Sequence, residues 1–291
     1  MTKNVLKIAS ILALLFLPVL FISCEEDDEI PEIEEEELQT IVSDLQFAEG
    51  PAFYNGSLYF SDIQANKIYK WDENTGSQVF ISNSGAANGI YFDNNGDMIV
   101  CQGGNKQLVS IDSSGETTVI TDKFNSASYN EPNDVWVAPN GNIYFTDPVY
   151  TGALSQTGEY VYCVKPSTGE VIKVIDDLVK PNGIIGNANG STLYVADHGA
   201  SKIYQYSVSS DGTLGSKQLF AAVKADSLSI DNSGNVYAAS ERILIFNSSG
   251  QQINTIDIPG TITNICIVEG TGKVAYITTH NRVYKQIFDE Q

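Results

Sequence analysis

The sequence predicts an all-β fold, a six-bladed β-propeller of four-stranded blades whose ring is closed by an N-terminal strand. Three observations predict it. A glycine followed by a run of alternating apolar and aromatic residues recurs six times, at Gly56, Gly96, Gly141, Gly190, Gly234 and Gly272. The spacings are 40, 45, 49, 44 and 38 residues, the length of one four-stranded blade. No stretch keeps a sustained helical period. A β-sandwich could use the same strands, but it gives no reason for six equal units.

Each blade assembles in the same order. A first strand lies upstream of each glycine, at residues 51–54, 89–93, 135–138, 183–186, 228–231 and 265–268. The second follows the glycine, and Asn-Gly, Ser-Gly and Thr-Gly turns between the two supply hairpin chemistry. Third strands read at 67–72, 107–112, 160–165, 202–207, 243–247 and 282–287, and fourth strands at 77–82, 117–122, 171–176, 217–222 and 253–258. The sixth repeat runs out of chain after its third strand. Residues 39–44, which look like 117–122, supply the missing strand and leave no open sheet edge. Tyr59, Tyr144, Tyr194, Tyr237 and Tyr276 recur at one blade position, a periodicity that reads as packing between blades.

The two ends of the charge distribution have different meanings. Sixteen Lys and Arg stand against 36 Asp and Glu in 291 residues, a formal net charge of −20. So acidic a chain is repelled by phosphate backbones, which excludes a nucleic-acid partner. Residues 1–24 read as a lipoprotein signal peptide: Lys3 and Lys7, an apolar run from Ile8 to Ile22, then Ser23 before Cys24, with Cys24 the lipidation site. Residues 25–37 hold ten acids and no base, an acidic linker that self-repels and stays extended. The propeller, 38–291, keeps 14 bases and 26 acids. The expected setting is a bacterial cell envelope, on the outer membrane through the lipid anchor only, and the expected state is a monomer. Cys101, Cys163 and Cys266 sit in strand-like runs and read as small buried hydrophobes rather than a disulfide framework.

Aligning the repeats on their glycines brings out the chemistry. Eight residues before each glycine, seven in the first repeat, stands a carboxylate or an amide: Glu49, Asn88, Asn133, Asn182, Asp226 and Asn264. First strands are innermost in a propeller, so these six side chains converge on the axis at one face. Two carboxylates with amide oxygens, and no thiolate or imidazole, make a hard oxygen cage that suits Ca²⁺. Mg²⁺ or Zn²⁺ is the other divalent ion to test. His198 and His280 end the second strands of blades 4 and 6 and read as surface or hydrogen-bonded residues. No G-x-S-x-G serine, C-x-x-C pair, H-E-x-x-H helix or P-loop occurs.

The segments Glu49-Gly50-Pro51, Pro132-Asn133-Asp134-Val135, Tyr144-Phe145-Thr146-Asp147-Pro148, Pro181-Asn182-Gly183-Ile184 and Tyr194-Val195-Ala196-Asp197 resemble the gluconolactonase, regucalcin and luciferin-regenerating-enzyme family over about residues 45–285. The resemblance implies a six-bladed propeller with one catalytic divalent ion, usually Ca²⁺. It implies Glu49, Asn182 and Asp226 as ligands, and Asn133 as a further ligand or a contact to the substrate or to water on the ion. Asp226 is then the catalytic base, and Asn88, Glu131 and Asn264 line the substrate pocket. The expected activity is Ca²⁺-dependent hydrolysis of small lactones. The rival readings are a ligand- or partner-binding propeller without chemistry, and arylesterase or phosphotriesterase activity at the same ion. Three departures from the family pattern stand out. Ser227 follows Asp226 where many relatives have Gly, Glu131 stands where some animal members carry a substrate-binding Arg, and Cys101-Gln102-Gly103-Gly104 lacks a His found in many bacterial members.

Overall fold

A computed structural model describes residues 38–288; the expectations for the signal peptide, Cys24 and the acidic linker lie outside these residues. Every regular element among the described residues is a strand. Six four-stranded antiparallel sheets form the blades, and their first strands adjoin one another in sequence around a closed ring. Those innermost strands are Ala48–Tyr54, Ala87–Phe92, Val135–Val137, Pro181–Gly186, Ser227–Ile230 and Ile262–Glu269.

The turn chemistry acts where the spacing placed it. In blade 1, Tyr54 pairs with Ser57 across a two-residue turn in which Asn55 and Gly56 both take positive φ, 48° and 80°. That conformation matches the twist of the flanking strands. In blade 6 the order is Ile262–Glu269, Lys273–Thr279, Arg282–Phe288 and then Leu38–Val42. Leu38 pairs with Gln286 and Thr40 with Tyr284, so a strand from the start of the propeller completes its last blade.

The core is divided between blades, as strands buried on both faces require. One cluster packs Leu58, Phe60 and Trp71 of blade 1 on Tyr276 and Val283 of blade 6. Another joins blades 3, 4 and 5 through Tyr144, Tyr194, Val195, Leu228 and Val236. The recurrent tyrosines serve this packing: Tyr59 meets Phe92 of blade 2, Tyr276 stacks on Phe53 of blade 1, and the Tyr144 hydroxyl donates to Gly212 O of blade 4. Cys101 and Cys163 are buried free thiols, and Cys266 is a half-buried one.

Two features fall outside the repeat. A small hairpin, Lys123–Phe124 with Ala127–Ser128, precedes blade 3. Within blade 3, a long segment (148–159) separates the second strand, Ile143–Asp147, from the third, Tyr160–Lys165.

Candidate active site

The donor ring forms at the entrance of the inner strands, where the pairing is irregular. Register shifts fall between Glu49 and Ala52, between Ala87 and Ile90, between Pro181 and Ile184, and between Ile262 and Asn264. Each spans or adjoins a predicted donor, and a bulge bends a strand and re-aims the side chain it carries. Backbone bonds then tie neighbouring entrances together. Gly89 N donates to Asn133 O at 2.7 Å and Gly183 N to Asp226 O at 2.8 Å.

The six positions are equivalent in the repeat but not in their partners. Glu49 spends Oε2 on Gly50 N and Asn264 Nδ2, at 3.0 and 2.9 Å, and Oε1 has no partner among the described residues. Asp226 spends Oδ1 on Asn182 Nδ2 at 3.2 Å and on His198 Nε2 at 3.1 Å, and Oδ2 stays open. Asn182 uses its amide NH₂ on Asp226 and on the Tyr150 hydroxyl, which leaves its carbonyl oxygen free. Asn133 is buried, and among the described residues neither its side chain nor that of Asn88 makes a hydrogen bond. Asn264 differs: its NH₂ goes to Glu49 and its oxygen accepts Ser227 Oγ at 2.6 Å and Ile265 N at 2.7 Å. It braces Glu49 instead of facing a ligand.

The glycine pattern around the ring explains its tightness. A Cβ on Gly50 would lie 2.2 Å from Asn88 O, and one on Gly183 would lie 2.5 Å from Ser227 Cα. Ser227, in the register position of these glycines, instead puts its hydroxyl between Asn264 Oδ1 and Asp134 Oδ2, the latter at 3.4 Å.

Asp134 is a third axial carboxylate that the register rule passes over in favour of its neighbour Asn133. Burial pushes its carboxyl up to about 7. Burial, with further repulsion from Asp134 and Asp226, pushes Glu49 up to about 8. None of the three is paired with a Lys or Arg among the described residues. Glu49 and Asp134, drawn out of water without a counter-charge, are costly unless protonated or shared by a cation.

Glu131 sits beside the site, but its carboxylate is engaged. Oε2 accepts Tyr150 N at 2.8 Å, and Oε1 accepts Thr151 N at 2.9 Å and Thr151 Oγ1 at 2.5 Å. A cavity of about 350 Å³ opens against Asp226 and His198, walled by Lys224, Ser240, Glu241 and Thr261. A second, about 440 Å³, runs along the axis past Asp134, Ser227 and Asn264.

A family model described as the SMP-30/gluconolactonase/LRE-like region matches residues 47–281. The chain belongs to the SMP-30/gluconolactonase/LRE-like family. It is 27% identical to a gluconolactonase of Zymomonas mobilis over 288 residues, covering 85% of this chain and 80% of that one. A solved gluconolactonase of Xanthomonas campestris superposes with a TM-score of 0.81 at 25% identity, covering 86% and 89% of the two chains. A regucalcin of Agrobacterium tumefaciens, described as a calcium-binding protein, shares the fold with a TM-score of 0.73 at 16% identity over 87% and 96%.

For this family member the donor set fits a hard divalent ion. Glu49 Oε1, Asp226 Oδ2 and the Asn182 carbonyl oxygen accept no hydrogen bond among the described residues, which suits a cation with oxygen ligands. The set depends on amides: among the described residues, no three His, Cys, Asp and Glu side chains gather closely enough to hold an ion alone. Two of its features had no signal in the repeat. Tyr150 comes from the segment peculiar to blade 3, and His198 contacts Asp226 from a strand end whose equivalents do other work. His280, for example, packs on Phe47 with ring centroids 4.5 Å apart.

Proposed function

We propose that this protein is a Ca²⁺-dependent hydrolase of small lactones. The observation that carries the reading is the axial set Glu49, Asn182 and Asp226, each with one oxygen that no donor among the described residues claims. Relatives named gluconolactonase support the substrate class, and the calcium-binding regucalcin of the same fold supports the ion.

Glu49, Asn182 and Asp226 would hold the ion, with Asn133 completing the set. When bound, the ion supplies Lewis-acid polarisation of an ester carbonyl. Asp226 does the proton chemistry. As the water oxygen bonds to the carbonyl carbon, Asp226 Oδ2 takes the proton that water loses. The ring C–O bond then breaks, and the same proton passes to the departing alkoxide, which leaves a hydroxy acid. His198 and Asn182 hold the other oxygen, Oδ1, so the carboxylate cannot turn away. The cavity between His198, Lys224, Ser240 and Thr261 gives a small ring room beside Asp226.

The test is direct. The full-length protein should open a lactone with Ca²⁺, lose activity on chelation and regain it when Ca²⁺ is restored, with Mg²⁺ and Zn²⁺ as comparisons. Asp226→Ala should lower kcat by at least about 10³-fold, the loss of base and ligand together. Full turnover by that variant, or by chelated protein, would sink the assignment. Metal binding without turnover of any lactone, aryl ester or phosphotriester would make this a binding propeller. Turnover confined to aryl esters or phosphotriesters would reassign the substrate. We also propose that Cys24 anchors the propeller to a bacterial envelope, which labelling with a lipid precursor in cells would test against Cys24→Ala.

A further inference from the structure

The segment 148–159 has no counterpart in the other blades, where the second and third strands are joined by short turns. A long insertion at a propeller face is ordinarily loose, but this one is held on both sides of its exposed middle by buried or half-buried acceptors. Glu131 takes the N–H groups of Tyr150 and Thr151 and the Thr151 hydroxyl. Glu159 Oε1 accepts Val149 N at 2.8 Å. Asn130 Oδ1 accepts Ser155 N at 2.8 Å and Gln156 N at 3.0 Å. The result is a fixed position for one side chain.

That side chain is Tyr150. Its hydroxyl accepts Asn182 Nδ2 at 2.8 Å. Its ring meets His198 edge-on with centroids 6.0 Å apart, and the Lys180 ammonium lies 5.2 Å from the ring centre. Asn182 and His198 are the two residues that hold Asp226 Oδ1. The phenol therefore stands over the carboxylate that does the proton chemistry. It accepts one hydrogen bond there, while its own hydrogen has no acceptor among the described residues.

We propose that Tyr150 is a substrate-contacting residue whose hydroxyl donates to the carbonyl oxygen as that oxygen gains charge, and that Glu131 is the positioning residue that delivers it. This rests on the lactone-hydrolase reading and adds to it a donor and a direction of approach. A phenol suits the task because it donates without bringing a charge. An ordinary phenol, with a pKa of about 10, keeps its proton at neutral pH. Donors aimed at developing charge are among the larger contributions to catalysis, and Tyr150, 40% exposed, would reach the carbonyl from the rim of the site. Glu131 fits the positioning role because both of its oxygens face the segment that carries Tyr150.

The test compares wild type, Tyr150→Phe, Glu131→Ala and the double variant, all as full-length protein, with Ca²⁺ titrations by calorimetry alongside lactone kinetics. Removing one such donor should lower kcat by roughly 100-fold, with KM within about threefold and Ca²⁺ affinity within about twofold of wild type. A kcat loss below about tenfold overturns the proposal. A parallel fall in Ca²⁺ affinity also overturns it, because the hydroxyl would then serve the shape of the ion site. Glu131→Ala should lose kcat to a similar extent, and the double variant no more than Tyr150→Phe alone, since both remove one interaction. Losses that multiply overturn the positioning role. If wild type opens no lactone, the hydrolase reading fails and this falls with it. If wild type is active and Tyr150→Phe equals it, only this proposal fails.

Discussion

Replacing Gly183 by Ala tests whether the ion site depends on the spacing of the inner strands. The added Cβ would stand 2.5 Å from Ser227 Cα and 2.7 Å from Leu228 N. Carbon atoms in contact sit about 3.5–4.0 Å apart, so the blade 4 and blade 5 entrances must part by roughly 1 Å. The bond from Gly183 N to Asp226 O, 2.8 Å long, would then exceed the useful range. Overpacking of this kind costs about 1–3 kcal/mol, and the lost bond adds about 1 kcal/mol. For a chain of this size 1 kcal/mol moves Tm by about 2–4 °C, so the fall should be roughly 5–15 °C.

The displacement separates Asn182 from Asp226, which sit on either side of that bond. The Ca²⁺-induced rise in Tm should therefore shrink as well. The control is Gly56→Ala, where a Cβ meets nothing within 4 Å but φ is +80°. It should cost about 1 kcal/mol of backbone strain and leave the Ca²⁺ response intact. Thermal melts with Ca²⁺ and with chelator decide the matter. A Gly183→Ala protein within about 2 °C of wild type, with an undiminished Ca²⁺ shift, would refute the reasoning.

Two further outcomes follow from the buried acids. The carboxyl of Glu49 is raised from its ordinary 4.5 to about 8, so the metal-free fold binds this proton more tightly than the unfolded chain does. The stability it contributes is full below about 4.5 and lost as pH rises through 8. Chelated protein should melt at progressively lower temperature across that window, and Ca²⁺ should protect most at its upper end. Glu49→Gln should flatten the slope relative to wild type and weaken Ca²⁺ by at least about 100-fold; an unchanged slope in melts from pH 5 to 9 would count against it. Asp62, buried at the end of a second strand, accepts the N–H groups of Gln46, Phe47 and Ala65. Asp62→Ala should cost about 3 kcal/mol in chemical denaturation yet keep Ca²⁺ affinity within about tenfold, and a loss of affinity without a loss of stability would contradict its structural role.

Much of this was legible in the sequence because a propeller repeats its physics. Glycines at turn positions set the blade register, and that register placed Glu49, Asn182 and Asp226 at one level of the ring. What escaped it lies where the repeat is broken. Asp134 follows the aligned position by one residue, and strict strand alternation assigns neighbours to opposite faces. At this entrance the regular pairing begins only at Val135, so alternation does not govern the pair. Tyr150 belongs to a segment that no other blade shares, and nothing in its local sequence says that Glu131 will hold it. Of the Asp residues closing second strands, Asp147 and Asp197 read as part of a family signature, and Asp62 holds the same place in blade 1. Their carboxylates accept backbone N–H groups from the chain leading into the first strand of the same blade, which makes that signature structural.

Six equivalent positions do not make six equivalent ligands, and the difference is made by hydrogen bonds to the second oxygen or to the amide nitrogen. Glu49 and Asp226 each have one oxygen engaged by the protein, which both orients the carboxylate and frees the other atom. Asn182 reaches the same state by giving its nitrogen to Asp226 and Tyr150. Asn264 is closed at both ends, because Ser227 occupies its oxygen. Ser227 thus explains its own departure from the glycine pattern. Where Gly50, Gly89 and Gly183 let backbones approach, its hydroxyl satisfies Asn264 Oδ1 and reaches toward Asp134 Oδ2. A glycine there would leave that buried amide oxygen with one donor fewer, and loosen the brace that turns Glu49 Oε1 away from the protein's own donors. The axial ring is therefore asymmetric by construction, closed at blade 6 and open at its other positions.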